Sequence, residues 1–513
     1  MVGSDGAVSG RGGGHGRAAD AVPRRDTAHP SPHRPDAAPL GQSGARRSRP
    51  ALRGRAAGRG RHRSGDAAMD RARHGGASLG GGPAGTGARA SAGQSARQWK
   101  CAVVRGDRAG ARRRRTRLTG LRLGLVVPRY GLDIVGGAET HCREYAERLA
   151  GRGHAVEVLT TCARDHFTWR NELPQGTSRI NGIPVHRYPV TRRREYTTMT
   201  VLHARMDAGF ALDEQGERRW VENTGYSEPM MEAIATAAER LDALLFIPYL
   251  FASTVYGARV RPEKSLVVPC LHNEAYARFG LIQETLRVAR ALVFNTEAER
   301  ELAVRLLGQV PPNRVVGIGF DAPPPLDVAA MRTRRGLSGD YVAFAGRREI
   351  AKNFPLLVEW MAAYTEGLSR RGPAALAIAG SGETTLPPSG TAVLRDLGFV
   401  GDLEKLAMFA GAVATAQLSL NESFSFILME SWSCGTPAIV HANCEVTRRH
   451  CEDSGGGVWV REVEEFAAAL DRLRGDGALR DRLGVAGRRY VEQRYSWPAV
   501  LGRLEDAIHL VTG

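Results

Sequence analysis

Apolar positions are unevenly spread along the 513-residue chain. From residue 121 onward, short apolar runs alternate with amphipathic stretches. Residues 123–127 (LGLVV) are the first such run, the pattern of a strand buried on both faces. A loop follows, then Gly136-Gly137-Ala138-Glu139. Within residues 140–151, Cys142, Tyr145, Ala146 and Leu149 recur at helical spacing. Gly153 and His154 close that helix, and 155–160 (AVEVLT) reads as a second strand. A strand, a glycine loop, a helix and a strand open a doubly wound α/β domain. The alternation continues with strands predicted at 243–247, 265–268, 291–295 and 314–318 and a helix at 297–307.

A second α/β series begins at 341–345 (YVAFA). It runs through Gly346-Arg347 and Lys352-Asn353 to a helix near 355–364, and on to a strand at 375–379 that ends in Gly380-Ser381-Gly382. A short apolar stretch at 397–400, a helix at 403–410 and a strand at 416–420 follow. Pro323-Pro324-Pro325 separates the two series and is the expected linker and hinge. An amphipathic helix is expected over 496–513, after Tyr495-Ser496-Trp497-Pro498. The expected divisions are 1–120, 121–325, 326–495 and 496–513.

Charge sharpens this picture. The formal net charge is +17, but residues 1–120 hold 25 Lys+Arg against 7 Asp. The remaining 393 residues carry 46 basic and 47 acidic groups. The basic character therefore belongs to an Arg/Gly/Ala-rich tail without Phe, Tyr or Ile, a composition expected to be disordered. An arginine-rich arm for nucleic acid or anionic lipid is one reading of it. An upstream start in GC-rich DNA is the favoured one. A near-neutral body argues against a nucleic-acid-tracking surface. The uncharged run at 243–258 has only 16 residues and contains Pro248, too short for a spanning helix of about 20 residues. Residues 1–20 lack the apolar stretch of a secretory signal. Seven scattered cysteines fit a reducing cytoplasm better than a disulfide framework. His441, Cys444, His450 and Cys451 are read as packing and loop residues, because adjacent His450-Cys451 suits one tetrahedral zinc poorly.

The densest chemistry lies at 421–437 (NESFSFILMESWSCGTP). Glu422 sits in a strand-to-helix loop and Glu430 just inside the helix, eight residues on. Both can face one cleft at the mouth of the sheet. His272-Asn273-Glu274 follows a strand in the first series, at the edge where open α/β sheets bind ligands. Spacing alone leaves two uses for the glutamates: ligands of a sugar donor, or acid and nucleophile of a retaining glycosidase.

Residues 121–513 resemble the family-4 glycosyltransferases, retaining enzymes of the GT-B fold with two Rossmann-like domains facing a cleft. The resemblance rests on an ordered set: Gly136-Gly137-Ala138-Glu139, His272, Gly346-Arg347 with Lys352-Asn353, Gly380-Ser381-Gly382, and Glu422-x7-Glu430 followed by Cys434-Gly435-Thr436-Pro437. The family usually has Glu-Gly-Phe-Gly where this chain has Glu422-Ser423-Phe424-Ser425, which alters the donor pocket. The resemblance implies hexose transfer from a nucleotide diphosphate sugar to a glycan, lipid or small molecule, with retained configuration and no metal or other cofactor. It implies Arg347 and Lys352 on the diphosphate, Glu430 on the ribose, and Glu422 with the backbone of Ser423, Phe424 and Ser425 on the sugar. Gly136 and Gly137 would close over the donor. His272 would sit near the reacting carbon, and 496–513 would cross back to the first domain. The cations favour a diphosphate leaving group over the glycosidase reading. A cytoplasmic enzyme with peripheral contact at the inner membrane face is expected. The alternatives are a non-catalytic GT-B binding protein and a tail that binds nucleic acid or an anionic surface. Asp165 and Trp169 are placed in an acceptor-side loop, with packing the favoured reading for the tryptophan.

Overall fold

The computed structural model describes residues 120–134, 136–382 and 394–513. The expected disorder of 1–120 falls, but for Gly120, outside the described residues.

Two sheets organise these residues. The first has the order β3-β4-β2-β1-β5-β6-β7-β8. Its strands are β1 (Arg122–Val126), β2 (Ala155–Thr161), β3 (Gly176–Ile180), β4 (Ile183–Tyr188), β5 (Ala243–Phe246), β6 (Ser265–Val267), β7 (Ala291–Phe294) and β8 (Asn313–Val315). All neighbours are parallel except β3 and β4. That hairpin turns at Asn181 and Gly182, both with positive φ, as a type I′ turn requires. The second sheet, β11-β10-β9-β12-β13-β14, is wholly parallel. It contains β9 (Tyr341–Ala345), β10 (Ala375–Ala379), β11 (Leu394–Asp396), β12 (Ala414–Gln417), β13 (Ala438–His441) and β14 (Gly457–Val460).

The apolar runs form strands because both sheet faces are covered. LGLVV and YVAFA are almost wholly buried. Several predicted strand edges move by one residue, and three shift further. The strand expected at 314–318 ends at Val315, the one at 416–420 is Ala414–Gln417, and the stretch at 397–400 follows β11 as a loop. The strand order reverses at β1/β5 and at β9/β12, so each sheet opens a crevice at its strands' carboxyl ends.

Six helices bear on the site: α1 (Gly137–Gly151), α2 (Glu297–Leu307), α3 (Asp402–Ala410), α4 (Phe426–Ser433), α5 (Glu445–Ser454) and α6 (Trp497–Thr512). α6 follows the second sheet in sequence yet packs on strands and α1 of the first, with Val500, Leu504, Ala507 and Ile508 fully buried. Arg152 clamps Glu505 with two hydrogen bonds of 2.9 Å. The chain crosses at 320 and at 496 side by side: the Phe320 N–H donates to Tyr495 O at 2.7 Å, and Phe320 bridges Ser496.

Candidate active site

Loops at the carboxyl ends of both sheets carry the predicted residues. In the second sheet, three glycine-bearing loops interlock. The Gly346 N–H donates to Ala379 O, and the Gly380 N–H to Gly398 O. Gly380 has φ +133, and a Cβ there would lie 2.0 Å from Gly346 O, so only glycine fits. Arg348, unremarked in the sequence reading, braces this layer by donating to Asp396 Oδ2 at 2.6 Å and Gly380 O at 3.2 Å.

Glu422 follows β12 and is nearly buried. Its Oε1 accepts from Lys352 Nζ at 2.8 Å and Gln417 Nε2 at 2.9 Å. Burial alone would raise its pKa, but Lys352, His272 and a hydrogen bond from Ser419 together outweigh it, leaving it below the ordinary carboxylate range. Glu430 lies on α4, where Oε1 accepts from Lys405 Nζ at 2.8 Å. Its Oε2 is buried with no hydrogen-bond partner among the described residues. Burial raises its pKa and Lys405 only partly offsets that. Lys405, on α3, was not anticipated: its local ion pair is with Asp402, and only the fold brings it to Glu430.

Arg347 and Lys352 engage different carboxylates. Arg347 Nη1 is 2.9 Å from Glu349 Oε1 and its side chain is half exposed. Ser425 immediately precedes α4 with φ +76, a left-handed conformation costly for a residue with a Cβ. Its hydroxyl is buried and unpartnered among the described residues. The Phe424 ring is core, packed against Phe320 and Tyr495.

The first sheet brings Gly137 to the same place. A Cβ on Gly137 would sit 3.9 Å from the Phe426 ring, and one on Gly136 would strike Glu139 at 2.0 Å. Glu139 is buried and accepts from Arg129 Nη2 at 2.5 Å. His272 follows β6; its Nδ1 lies 3.6 Å from Glu274 Oε1, which also accepts from Tyr249 Oη at 2.8 Å. Burial pushes the His272 pKa down, but Glu274 and the nearby Glu422 leave it raised. Glu274 was visible in sequence as part of His272-Asn273-Glu274, though its partner Tyr249 was not.

Asp165 and Trp169, expected on an acceptor-side loop, and the His441 and His450 side chains all make local contacts. Trp169 is buried against Phe251, and Asp165 caps the turn to Thr168. His441 stacks on Trp360 while His450 bonds Tyr490. Among the described residues no group of three or more His, Cys, Asp or Glu is placed to hold a metal.

Residues 136–320 match the "Glycosyl transferase 4-like domain" family and residues 333–490 match "Glycosyl transferases group 1". A D-inositol 3-phosphate glycosyltransferase of Kineococcus radiotolerans is 31% identical over 422 residues, 72% of this chain and 89% of its own length. The chain belongs to the group 1/family 4 glycosyltransferases. This glycosyltransferase is also 25% identical to a phosphatidyl-myo-inositol mannosyltransferase of Mycobacterium leprae, over 75% of this chain and 95% of that protein. Among solved structures it resembles sucrose-phosphate synthase of Thermosynechococcus elongatus, with TM-score 0.57 and 16% identity over 76% of this chain and 99% of the other. Anabaena HepE in complex with UDP-glucose gives TM-score 0.56 at 15% identity, over 76% and 99%. These likenesses establish the GT-B fold. No described helix is long and apolar enough to cross a membrane.

Proposed function

We propose that this glycosyltransferase moves a hexosyl group from a nucleoside diphosphate sugar to a glycan, lipid or small-molecule hydroxyl, retaining the anomeric configuration without a metal. One observation carries the reading: two nearly buried carboxylates eight residues apart, each met by a lysine 2.8 Å away from a different element. That arrangement leaves charge and hydrogen-bond capacity around the first turn of α4. Its N–H groups favour an anion.

In this reading Glu430 Oε2 finds its missing partner in a ribose hydroxyl. Glu422 accepts from hydroxyls of the transferred sugar, with the backbone of Ser423, Phe424 and Ser425 beside it. Lys352, Arg347 and the α4 N-terminus stabilise the departing diphosphate, which is what a GT-B site asks of cationic side chains and dipoles. Gly136 and Gly137 let the first half's loop approach that diphosphate. His272, carrying a proton more readily than a free histidine, sits on the acceptor side of the reacting carbon. The relatives named for inositol phosphate and phosphatidylinositol favour an inositol-bearing acceptor, and we place the reaction in the cytoplasm, at the inner membrane face if that acceptor is a lipid.

The test uses the full-length chain and a panel of UDP- and GDP-hexoses. At least one should raise Tm and be hydrolysed slowly without acceptor, and NMR of the glycosylated product should show the donor's anomeric configuration. Absence of any nucleotide binding sinks the reading. An inverted product removes the retaining assignment alone, and binding without turnover in the presence of inositol acceptors would favour a binding protein.

A further inference from the structure

Glu299 has no part in the proposed transfer, yet its carboxylate ties together two loops of the first half that border the cleft. Thr296-Glu297-Ala298-Glu299 is a capping-box pattern at the start of α2. Thr296 Oγ1 accepts from the Glu299 N–H at 3.1 Å, as that pattern demands. The carboxylate goes further than a cap. Its Oε2 accepts from the Asn295 N–H at 2.6 Å, and its Oε1 accepts from the Leu271 N–H at 2.6 Å, 28 residues away. Leu271 directly precedes His272. The Glu299 side chain is fully buried, and burial pushes its pKa up to about 7 against the pull of these N–H groups. A helix cap has no need of Leu271, and a buried charge is costly unless its bonds secure something.

The same few residues reach the second half. Thr296 Oγ1 donates to Ser423 O at 3.2 Å, and Asn295 Nδ2 lies 3.5 Å from Ser423 Oγ. Ser423 adjoins Glu422, so its carbonyl and hydroxyl tie the Glu422 loop to Thr296 and Asn295. One carboxylate thus holds the backbone beside His272 and the residues that grip the loop beside Glu422.

We propose that Glu299 is a positioning residue for the transfer reaction: through Leu271 it sets the His272 loop, and through Asn295 and Thr296 it sets the Ser423 loop, so that His272 and Glu422 meet the donor in register. This rests on the glycosyl-transfer reading of the same cleft. Misplacement of reacting groups by about 1 Å can cost on the order of a hundredfold in rate.

The experiment compares Glu299→Gln, Thr296→Val and Thr296→Ser in the full-length chain. Kinetics use whichever of the UDP- and GDP-hexoses the wild type hydrolyses fastest. Glu299→Gln and Thr296→Val should lower kcat about tenfold or more while KM stays within about twofold, and Thr296→Ser should restore kcat. Hydrogen exchange on the unliganded proteins should quicken at both 271–273 and 422–425. Unchanged kcat overturns the proposal. So does quickened exchange confined to 295–300, whatever the kinetics, because that is the mark of a lost helix cap. If Glu299→Gln does not fold, the Thr296 pair decides. If the wild type binds no nucleotide sugar, the glycosyl-transfer reading fails, while the exchange pattern still decides whether the two loops are coupled.

Discussion

Glu422 and Glu430 lie eight residues apart and each is met by a lysine, yet their surroundings pull them in opposite directions. Glu422 gathers Lys352, Gln417 and the field of His272, and its acidity is strengthened. Glu430 has Lys405 on one oxygen, Asp402 nearby, and nothing described on the other, and its acidity is weakened. Geometry, more than burial, separates them, since both are largely shielded from water. The first is an ion held ready in a network. The second is an acceptor left incomplete until something binds.

The sharpest way to break this contrast is Glu422→Gln. It leaves Lys352 without its counter-charge and makes the acceptor proposed for the sugar neutral, so kcat in donor hydrolysis should fall about a hundredfold or more, with the fold intact by circular dichroism. Glu430→Gln should act on binding instead. Calorimetry should show nucleoside diphosphate affinity weakened about ten- to a hundredfold, and the variant should no longer distinguish a ribose from a 2′,3′-dideoxyribose ligand. Equal losses for both ligands would mean that Glu430 meets no ribose.

Acidity tests the contrast without mutation. Because the Glu430 pKa is raised, it takes up a proton first as pH falls, while Glu422 stays ionised to lower pH. Nucleotide affinity should therefore drop on acidification before the Glu422–Lys352 pair is lost, and Glu430→Gln should flatten that early drop. Lys405→Met is the mildest probe. It removes the charge that partly offsets the burial of Glu430, so the affinity drop should move to higher pH, with a loss at pH 8 of only about threefold. A drop that stays in place would show that Lys405 does not set Glu430.

Much of the fold was legible, and the reason is local. LGLVV and YVAFA are strands because their residues are apolar on both faces, a property written in consecutive letters. The β3–β4 hairpin was equally written, in Asn181-Gly182, but polar flanking residues on an exposed edge strand hid its alternation. At the site, residues tied to a motif emerged from sequence: His272, Glu422, Glu430, Lys352 and the glycine loops. Residues that matter through a partner elsewhere did not. Lys405 reads as a surface lysine until α3 is laid beside α4. Thr296 and Glu299 read as an ordinary helix start, and only folding shows that their other partners are Leu271 and Ser423.

The paired crossings at Phe320 and Ser496 have a mechanical consequence. A single flexible tether would let one half swing, twist and slide against the other. Two tethers hydrogen-bonded side by side, with α6 clamped to the first sheet through Arg152 and Glu505, suppress twisting and sliding. What remains is rotation about the line on which the tethers lie. Motion between the halves is thereby expected to be mainly an opening about that line, one that would bring the facing loops back to the same alignment when it reverses.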